Sequence, residues 1–235
     1  MSNSYFEFRQ FTICQDQCAM KVGTDGVLLG AWANNPAQIG IPSSGTHILD
    51  IGTGTGLIAI MMAQRYANAH VTAIEIDNDA AKQAAINVQS SPFAERITVK
   101  HTALQDFNTP DSFDTIVCNP PFFISSLTCP NNQRTISRHT CTLTYDELMN
   151  CAYRLLTAEG ELSIIIPNDS TAKMNEAATI AGFFAKRICA VKTTERKPAK
   201  RFLLSFSKEP QPSIETSNII IGSEKHKLMT KDFFL

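Results

Sequence analysis

Residues 46–56 read THILDIGTGTG, an apolar run that passes directly into a loop with glycine at every second position. The run Thr46 to Ile51 predicts a β-strand, and a helix with almost no polar face is expected from Gly56 to Arg65. Glycine accepts positive φ angles and lets a ligand approach the backbone closely. The free N–H groups at the start of the helix would face the loop. This strand–loop–helix unit predicts the ligand-binding turn of an α/β fold.

The loop differs from the dinucleotide-binding fingerprint Gly-x-Gly-x-x-Gly, because position 57 is Leu57 and not glycine. Asp50 precedes the loop, where a carboxylate would serve a pyrophosphate poorly and a cationic group well. The ammonium of S-adenosylmethionine is such a group. Glu75 ends the second predicted strand, where doubly wound folds place the carboxylate that accepts ribose hydroxyls. The alternative is a structural turn followed by a solvated glutamate, with Asp77 in a turn and Asp79 as a helix cap.

Further along the chain, short β-rich runs alternate with helical stretches, which favours a parallel sheet. Strands are predicted at 70–76, 97–101, 113–118 and 161–167, and helices at 79–89, 145–156 and 171–181. The runs 184–192 and 201–207 are joined too closely for a crossover helix, so they should pair antiparallel at an edge. We predict a Rossmann-like, doubly wound, mostly parallel seven-stranded sheet with an antiparallel edge hairpin. Residues 46–235 would form one domain, with residues 1–45 as an N-terminal extension packed on it.

The composition agrees with a globular protein of this class. The 235 residues are 43% hydrophobic and 18% charged, which argues against disorder, collagen and coiled coil. No apolar run approaches the roughly 20 residues that cross a bilayer, and the N-terminus has no signal-peptide pattern. The seven cysteines include no Cys-x-x-Cys pair, so reduced thiols, no metal site and a cytoplasmic location are expected. A net charge of −1 requires any basic surface to be local.

The fourth predicted strand ends in Asn119-Pro120-Pro121-Phe122. Two prolines make the turn rigid, and in an open α/β sheet this point faces the ligand crevice. The Asn119 side-chain oxygen and the Pro120 carbonyl can each accept one N–H of an exocyclic amine, which frees the nitrogen lone pair for attack on a methyl group. Phe122 would stack on the flipped-out base. The alternative is a bare strand terminator.

These motifs resemble the class I S-adenosylmethionine-dependent methyltransferases, and Asn-Pro-Pro-aromatic is similar to their amino-methylating branch. The segments 8–11, 18–32 and 138–140 resemble the bacterial tRNA1(Val) adenine-N6 methyltransferases. This resemblance implies methylation of the adenosine immediately 3′ of the anticodon. The sequence gives no evidence of an obligate protein partner. Alternatives are guanine-N2 methylation of ribosomal RNA, a non-catalytic RNA-binding protein on this scaffold and, disfavoured by Leu57, a nicotinamide oxidoreductase.

The family usually has an acid after strand three, near the cofactor adenine, where this chain has Ala103 or Leu104. We therefore assign adenine recognition to the backbone around Leu104. The expected cofactor residues are Asp50, Gly52, Gly54, Gly56, Glu75, Ile76, Leu104 and Asn119. In the N-terminal extension, Thr24 or Asp25 can cap a helix whose Leu28, Leu29 and Trp32 pack on the sheet. The segment can also close over the methionine end of the cofactor.

Basic residues are dense between positions 186 and 201, where Glu195 is the only acid. Lys186, Arg187 and Lys192 belong to this run, together with the four expected tRNA contacts Arg196, Lys197, Lys200 and Arg201. The alternative is a solvated sheet edge. A second group, Arg134, Arg138 and His139, follows the catalytic turn. We expect Arg134 and Arg138 to bind tRNA, and an anticodon loop offers splayed bases that can stack on Phe122 or Phe123.

Overall fold

The computed structural model describes residues 3–18, 21–34, 46–110, 112–120 and 143–234. The described strands are β1 (Tyr5–Glu7), β2 (Thr12–Cys14), β3 (Thr46–Ile51), β4 (Ala69–Glu75), β5 (Ile97–His101), β6 (Phe113–Cys118), β7 (Leu156–Pro167), β8 (Phe184–Lys192), β9 (Arg201–Ser207) and β10 (Glu215–Ile220). The described helices are α1 (Thr24–Trp32), α2 (Leu57–Arg65), α3 (Asn78–Gln89), α4 (Tyr145–Leu155), α5 (Thr171–Ile180) and α6 (Glu224–Thr230). None of these helices is both long and apolar enough to span a membrane.

The central sheet has the strand order β10-β8-β9-β7-β6-β3-β4-β5. β9 runs antiparallel to both of its neighbours, and every other pairing is parallel. The predicted α/β class, with its mostly parallel, doubly wound sheet, is confirmed. The predicted number of seven strands is wrong, because β10 adds an eighth strand beside β8 and moves the β8–β9 hairpin away from the edge. β10 is mostly exposed, so it lacks the apolar pattern that identifies buried strands.

Two apolar layers cover the faces of the sheet. On one face, α1 and α2 pack together through Leu28, Ile60 and Met61, which are fully buried. On the other face, α4 and α5 cover β6 and β7 through a cluster that includes Leu148 and Met174. Because both faces are covered, the central strands β3 and β6 are almost continuously buried.

The N-terminal segment is held to the core by buried amides. β1 and β2 form an antiparallel hairpin. The Asn87 side chain accepts from the Cys14 N–H at 2.9 Å and donates to the Cys14 and Thr55 carbonyls, both at 2.8 Å. Gln15 accepts from the Val22 N–H at 2.8 Å, just before α1. These contacts link the hairpin, the glycine loop and the start of α1.

Helix α3 begins one residue earlier than the sequence predicts, and the predicted cap is wrong. Asp77 is the N-cap, and its carboxylate accepts from the N–H groups of Asp79 and Ala80 at 3.1 and 2.8 Å. Asp79 lies in the first turn of the helix. Either acid satisfies the sequence preference at a helix start, so only the backbone conformation distinguishes them.

Candidate active site

The candidate site lies at the carboxyl edge of the sheet, where β3, β4 and β6 end side by side. Ile51 is in register with Ile74 of β4 and with Cys118 of β6. The residues that follow these strands, the glycine loop and Asn119, therefore become neighbours. Such an edge of an open α/β sheet is the usual position of a ligand site.

The glycine loop adopts a conformation that only glycine accepts readily. Gly52, Gly54 and Gly56 have φ angles of +68°, +57° and +83°. The N–H groups of Gly52 and Thr53 both donate to the Ile74 carbonyl at 3.0 Å, which fastens the loop to β4. A Cβ atom built on Gly52 would meet no described atom within 4 Å, so this residue faces open space. The loop is a shallow cradle beside the strand ends.

Asp50 is fully buried below this cradle. Its Oδ2 accepts from the Thr53 hydroxyl at 2.5 Å and from the Ala59 N–H at 3.1 Å, whereas Oδ1 has no hydrogen-bond partner among the described residues. Burial raises the pKa of Asp50 to about 7, although the two hydrogen bonds act in the opposite direction and lower it. The expected contact of Asp50 with the cofactor stays a prediction. Asp50 is shielded by the loop it precedes, and it orders the connection between the loop and α2.

Glu75, at the end of β4, holds the loop from the other side. Its Oε2 accepts from the Gly54 N–H at 2.9 Å, and its Oε1 accepts from the Ile76 and Asp77 N–H groups at 2.9 and 3.0 Å. A carboxylate has about four lone-pair sites, so it retains capacity for hydroxyl donors. Ile76 follows with 48% of its surface exposed, an apolar side chain open to a ligand at the sheet edge.

Leu104 lies beyond β5 with its side chain buried in the α4–α5 layer. Its carbonyl accepts from the Phe107 N–H at 3.2 Å, and the nearby Thr102 N–H donates to the Glu75 carbonyl at 2.8 Å. The Leu104 side chain is therefore buried, whereas the backbone of its segment is linked to Glu75. Its proposed contact with adenine through the backbone stays a prediction.

A cavity of about 330 Å³ opens between the glycine loop and the start of α1. The cavity is lined by Lys21, Val22, Gly23, Thr24, Asp25, Gly26, Gly52, Thr53, Gly54, Thr55, Leu57, Ile58 and Asn119. Asn119 Oδ1 is buried and has no hydrogen-bond partner in the part of the chain that the structure describes. An unsatisfied buried acceptor is costly, so its place in a cavity wall indicates a donor supplied by a ligand.

Not every predicted catalytic and substrate residue can be compared with the structure. Pro120 is described and buried beside Asn119. The other expected catalytic residues and part of the expected tRNA contacts lie outside the described residues, namely Pro121, Phe122, Phe123, Arg134 and Arg138, as does His139. Their roles stay predictions.

The start of α1 forms one wall of the cavity, although none of its residues is among the expected cofactor residues. α1 begins at Thr24 with Gly23 as N-cap and no side-chain cap, so the prediction that Thr24 or Asp25 caps it is wrong. Asp25 Oδ2 instead accepts from Arg201 Nε at 2.8 Å. The polar residues flanked by an apolar run were the sequence signal for this wall. Closure of the segment over a ligand stays a prediction.

The basic run from 186 to 201 separates into two groups. Lys186 and Arg187 both form ion pairs with buried Glu161, and Arg187 also stacks over the Trp32 ring with 4.1 Å from Cζ to the centroid. Although burial alone would raise it, these cations hold the pKa of Glu161 below its ordinary value. Arg187 is 7% exposed, so it belongs to the fold and not to an RNA-binding surface.

Arg196, Lys197 and Lys200 are exposed in the turn between β8 and β9, which we call the basic turn (residues 193–200). Arg201 pairs in register with Pro167 at the end of β7. Because β7 runs parallel to β6, the basic turn lies at the same edge of the sheet as Asn119. Within the described residues, no group of three His, Cys, Asp or Glu side chains is arranged to hold a metal ion.

Comparison with known proteins identifies the family of this chain. The family model of the methyltransferase small domain matches residues 37–195. The chain is similar to the tRNA1(Val) (adenine(37)-N6)-methyltransferase of Phocaeicola vulgatus, with 46% identity covering 100% of this chain and 99% of that protein. The enzyme of the same name from Vibrio parahaemolyticus is 40% identical over 98% of this chain and 95% of its own length.

Solved structures share the fold at much lower identity. A predicted O-methyltransferase from Agrobacterium tumefaciens matches with a TM-score of 0.66 at 19% identity, covering 90% of this chain and 98% of that one. A TehB-like SAM-dependent methyltransferase from Corynebacterium glutamicum matches with a TM-score of 0.53 at 16% identity, covering 80% and 89% of the two chains. These likenesses concern the arrangement of strands and helices alone.

Proposed function

The chain belongs to the methyltransferase small domain family and, within it, to the tRNA1(Val) (adenine(37)-N6)-methyltransferases, and from this premise we propose that it methylates N6 of an adenine in tRNA. The proposed donor is S-adenosylmethionine and the proposed acceptor is adenosine 37, next to the anticodon. The enzyme would act in the cytoplasm. Residues 46–235 would form the catalytic domain and residues 1–45 an extension packed on it.

The cavity fits this cofactor in shape and chemistry. Gly52 presents its backbone to open space, so a ligand can approach where any side chain would intrude. Glu75 supplies a carboxylate at the strand end, which suits the ribose hydroxyls, and exposed Ile76 offers an apolar face for adenine. The start of α1 would cover the methionine end. When bound, S-adenosylmethionine supplies an electrophilic methyl group on a sulfonium.

Asn119 and Pro120 would bind and orient the amine. Asn119 Oδ1 and the Pro120 carbonyl each accept one N–H of the adenine amino group, which directs the nitrogen lone pair into the cavity. Acceptors that are already in place need no reorganisation during the reaction. Phe122 would stack on the flipped-out base, by the resemblance of the tetrapeptide to the amino-methylating branch. The single observation that carries this proposal is the buried Asn119 Oδ1 in the cavity wall, which has no hydrogen-bond partner among the described residues.

The tRNA would approach the carboxyl edge of the sheet. The exposed cations of the basic turn, Arg196, Lys197 and Lys200, are at this edge and suit the phosphates of a loop. Bases of a single-stranded anticodon loop can be splayed out and stacked on an aromatic side chain such as Phe122 or Phe123. Arg134 and Arg138 would add phosphate contacts.

The direct test is methyl transfer from labelled S-adenosylmethionine to total tRNA, followed by digestion and identification of the modified nucleoside. We expect N6-methyladenosine in a valine tRNA, at the position 3′ of the anticodon. The matched substrate is the same tRNA transcribed with guanosine at position 37, which should receive no label. Label in ribosomal RNA as N2-methylguanosine, with none in tRNA, would overturn the proposed substrate.

A further inference from the structure

An ion pair joins the cavity wall to the strand that follows the basic turn. Arg201 Nε donates to Asp25 Oδ2 at 2.8 Å, and the two side chains are 31% and 24% exposed. Asp25 lies in the first turn of α1 and lines the cavity. Because both partners are partly buried, salt screens their attraction less than that of a fully exposed pair.

Arg201 is also tied to the basic turn by the backbone. It is the first residue of β9, and its Nη1 donates to the Lys200 carbonyl at 3.1 Å. Its neighbours across the sheet are Pro167 of β7 and Val191 of β8. The guanidinium therefore connects α1 to the residue at the end of the basic turn.

This arrangement changes the expected role of Arg201. The sequence places it with Arg196, Lys197 and Lys200 as a phosphate contact. These three residues are exposed, whereas Arg201 directs Nε at a carboxylate of the cavity wall. A cation that neutralises Asp25 contributes less to attraction of phosphates than an exposed one does.

We propose that Asp25 and Arg201 are positioning residues that couple cofactor binding to tRNA binding. This inference rests on the proposed function. A ligand in the cavity contacts the start of α1 and restrains Asp25. Asp25 then restrains Arg201, which sets the position of the basic turn. By linkage, each ligand must strengthen binding of the other by the same factor.

The experiment measures this factor directly, without turnover. The dissociation constant of S-adenosylhomocysteine is measured by calorimetry with and without saturating tRNA. The dissociation constant of tRNA is measured with and without saturating S-adenosylhomocysteine. In the wild type we expect each ligand to tighten the other by about 5-fold or more, the lower end of usual allosteric couplings.

Variants then locate the coupling. Asp25→Asn and Arg201→Gln should each reduce the factor to near 1, and the double variant should reduce it no further. Arg201→Lys keeps the charge and should retain part of the coupling. The control is Lys82→Gln, which breaks an exposed ion pair with Asp79 in α3 and should keep the full factor. Thermal unfolding of each variant tests whether the fold survives.

The outcomes separate the two proposals. A wild-type factor of 1, or an unchanged factor in Asp25→Asn and Arg201→Gln, overturns the coupling even if the enzyme methylates tRNA normally. If Arg201→Gln unfolds, Asp25→Asn and Arg201→Lys decide the question in its place. A wild-type protein that neither binds nor methylates tRNA contradicts the proposed function itself, and the coupling with it.

Discussion

Glu75 and Gly54 are joined by a hydrogen bond of 2.9 Å, from the Gly54 N–H to Glu75 Oε2. The acid that the sequence predicts as a ribose ligand therefore also fixes the conformation of the glycine loop. Loop and carboxylate form one unit at the ends of β3 and β4. Removing the acid should affect ligand binding both directly and through the loop.

We expect Glu75→Gln to weaken binding of S-adenosylmethionine. A hydrogen bond to a charged group contributes about 1.5–3 kcal/mol, which corresponds to roughly a 10- to 150-fold rise in the dissociation constant. Calorimetry measures the dissociation constant. Asp79→Asn removes the charge of an exposed acid in α3 and serves as the control. An equal affinity in the wild type and in Glu75→Gln would remove Glu75 from the site.

Asp50 should make the fold less stable as pH rises. Burial raises its pKa in the folded state to about 7, from 3.8 in the unfolded chain. Between these values the folded state retains a proton that the unfolded chain has lost, so the free energy of unfolding falls as pH rises from the lower value to the higher one and levels off above it. Each pKa unit corresponds to about 1.4 kcal/mol, so the fall attributable to Asp50 is at most about 4 kcal/mol.

The test is urea unfolding of the wild type and Asp50→Asn between about pH 4.5 and pH 8. The amide keeps an acceptor for Thr53 and Ala59 without a titrating charge. We expect the variant to lose less stability across this range than the wild type. Parallel curves for the two proteins would show that Asp50 does not titrate there.

Gly52→Ala should abolish cofactor binding at a modest cost in stability. A non-glycine residue at a φ of +68° costs about 1–2 kcal/mol, and the new methyl group would project into the cradle. Gly222→Ala is the matched control, since Gly222 has a φ of +83° and a Cβ there would also meet no described atom within 4 Å. Both variants should lose similar stability in thermal unfolding, and only Gly52→Ala should lose affinity. Normal binding by Gly52→Ala would contradict the cradle.

Asn119→Ala should lower kcat by a much larger factor than it lowers cofactor affinity. Removing one oriented hydrogen-bonding group from an active site costs about 2–4 kcal/mol of transition-state stabilisation, by analogy with an oxyanion hole. Single-turnover methyl transfer to tRNA measures the effect. Asn175→Ala is the control, because Asn175 Oδ1 also lacks a described partner but lies outside the cavity lining. A near wild-type rate in Asn119→Ala would leave Asn119 as a strand terminator only.

The basic turn should contribute to the salt dependence of tRNA binding. Each phosphate contact adds about 0.7–0.9 to the slope of log affinity against log salt, so replacing Arg196, Lys197 and Lys200 by alanine should flatten it by roughly 2. Cofactor affinity should stay the same. A control that loses the same charge replaces Lys82, Lys227 and Lys231, which are exposed outside the turn. An unchanged slope in the turn variant would identify the turn as a solvated loop.

The sequence alone was sufficient for the strand–loop–helix unit, the fold class and the Asn119-Pro120 turn. Each of these depends on residues adjacent in the chain, because a buried strand requires an apolar run and positive φ requires glycine. The sequence also predicted that the glycine loop and the Asn119-Pro120 turn lie close together, since parallel strands end at one edge of a sheet. The local pattern could not distinguish Asp77 from Asp79 as the cap, because both satisfy the same preference.

The tertiary structure decided which charged residues are buried or paired within the protein and which are exposed. Asp50 is buried, Arg187 pairs with Glu161, and Arg201 pairs with Asp25 across 176 positions of sequence. β10 likewise joins the sheet through pairing with β8. None of these contacts can be recognised from the residues adjacent to it in the sequence. A charged residue is the same in the sequence whether its side chain is solvated or paired. Only the packing of distant segments determines which of these two states has the lower free energy.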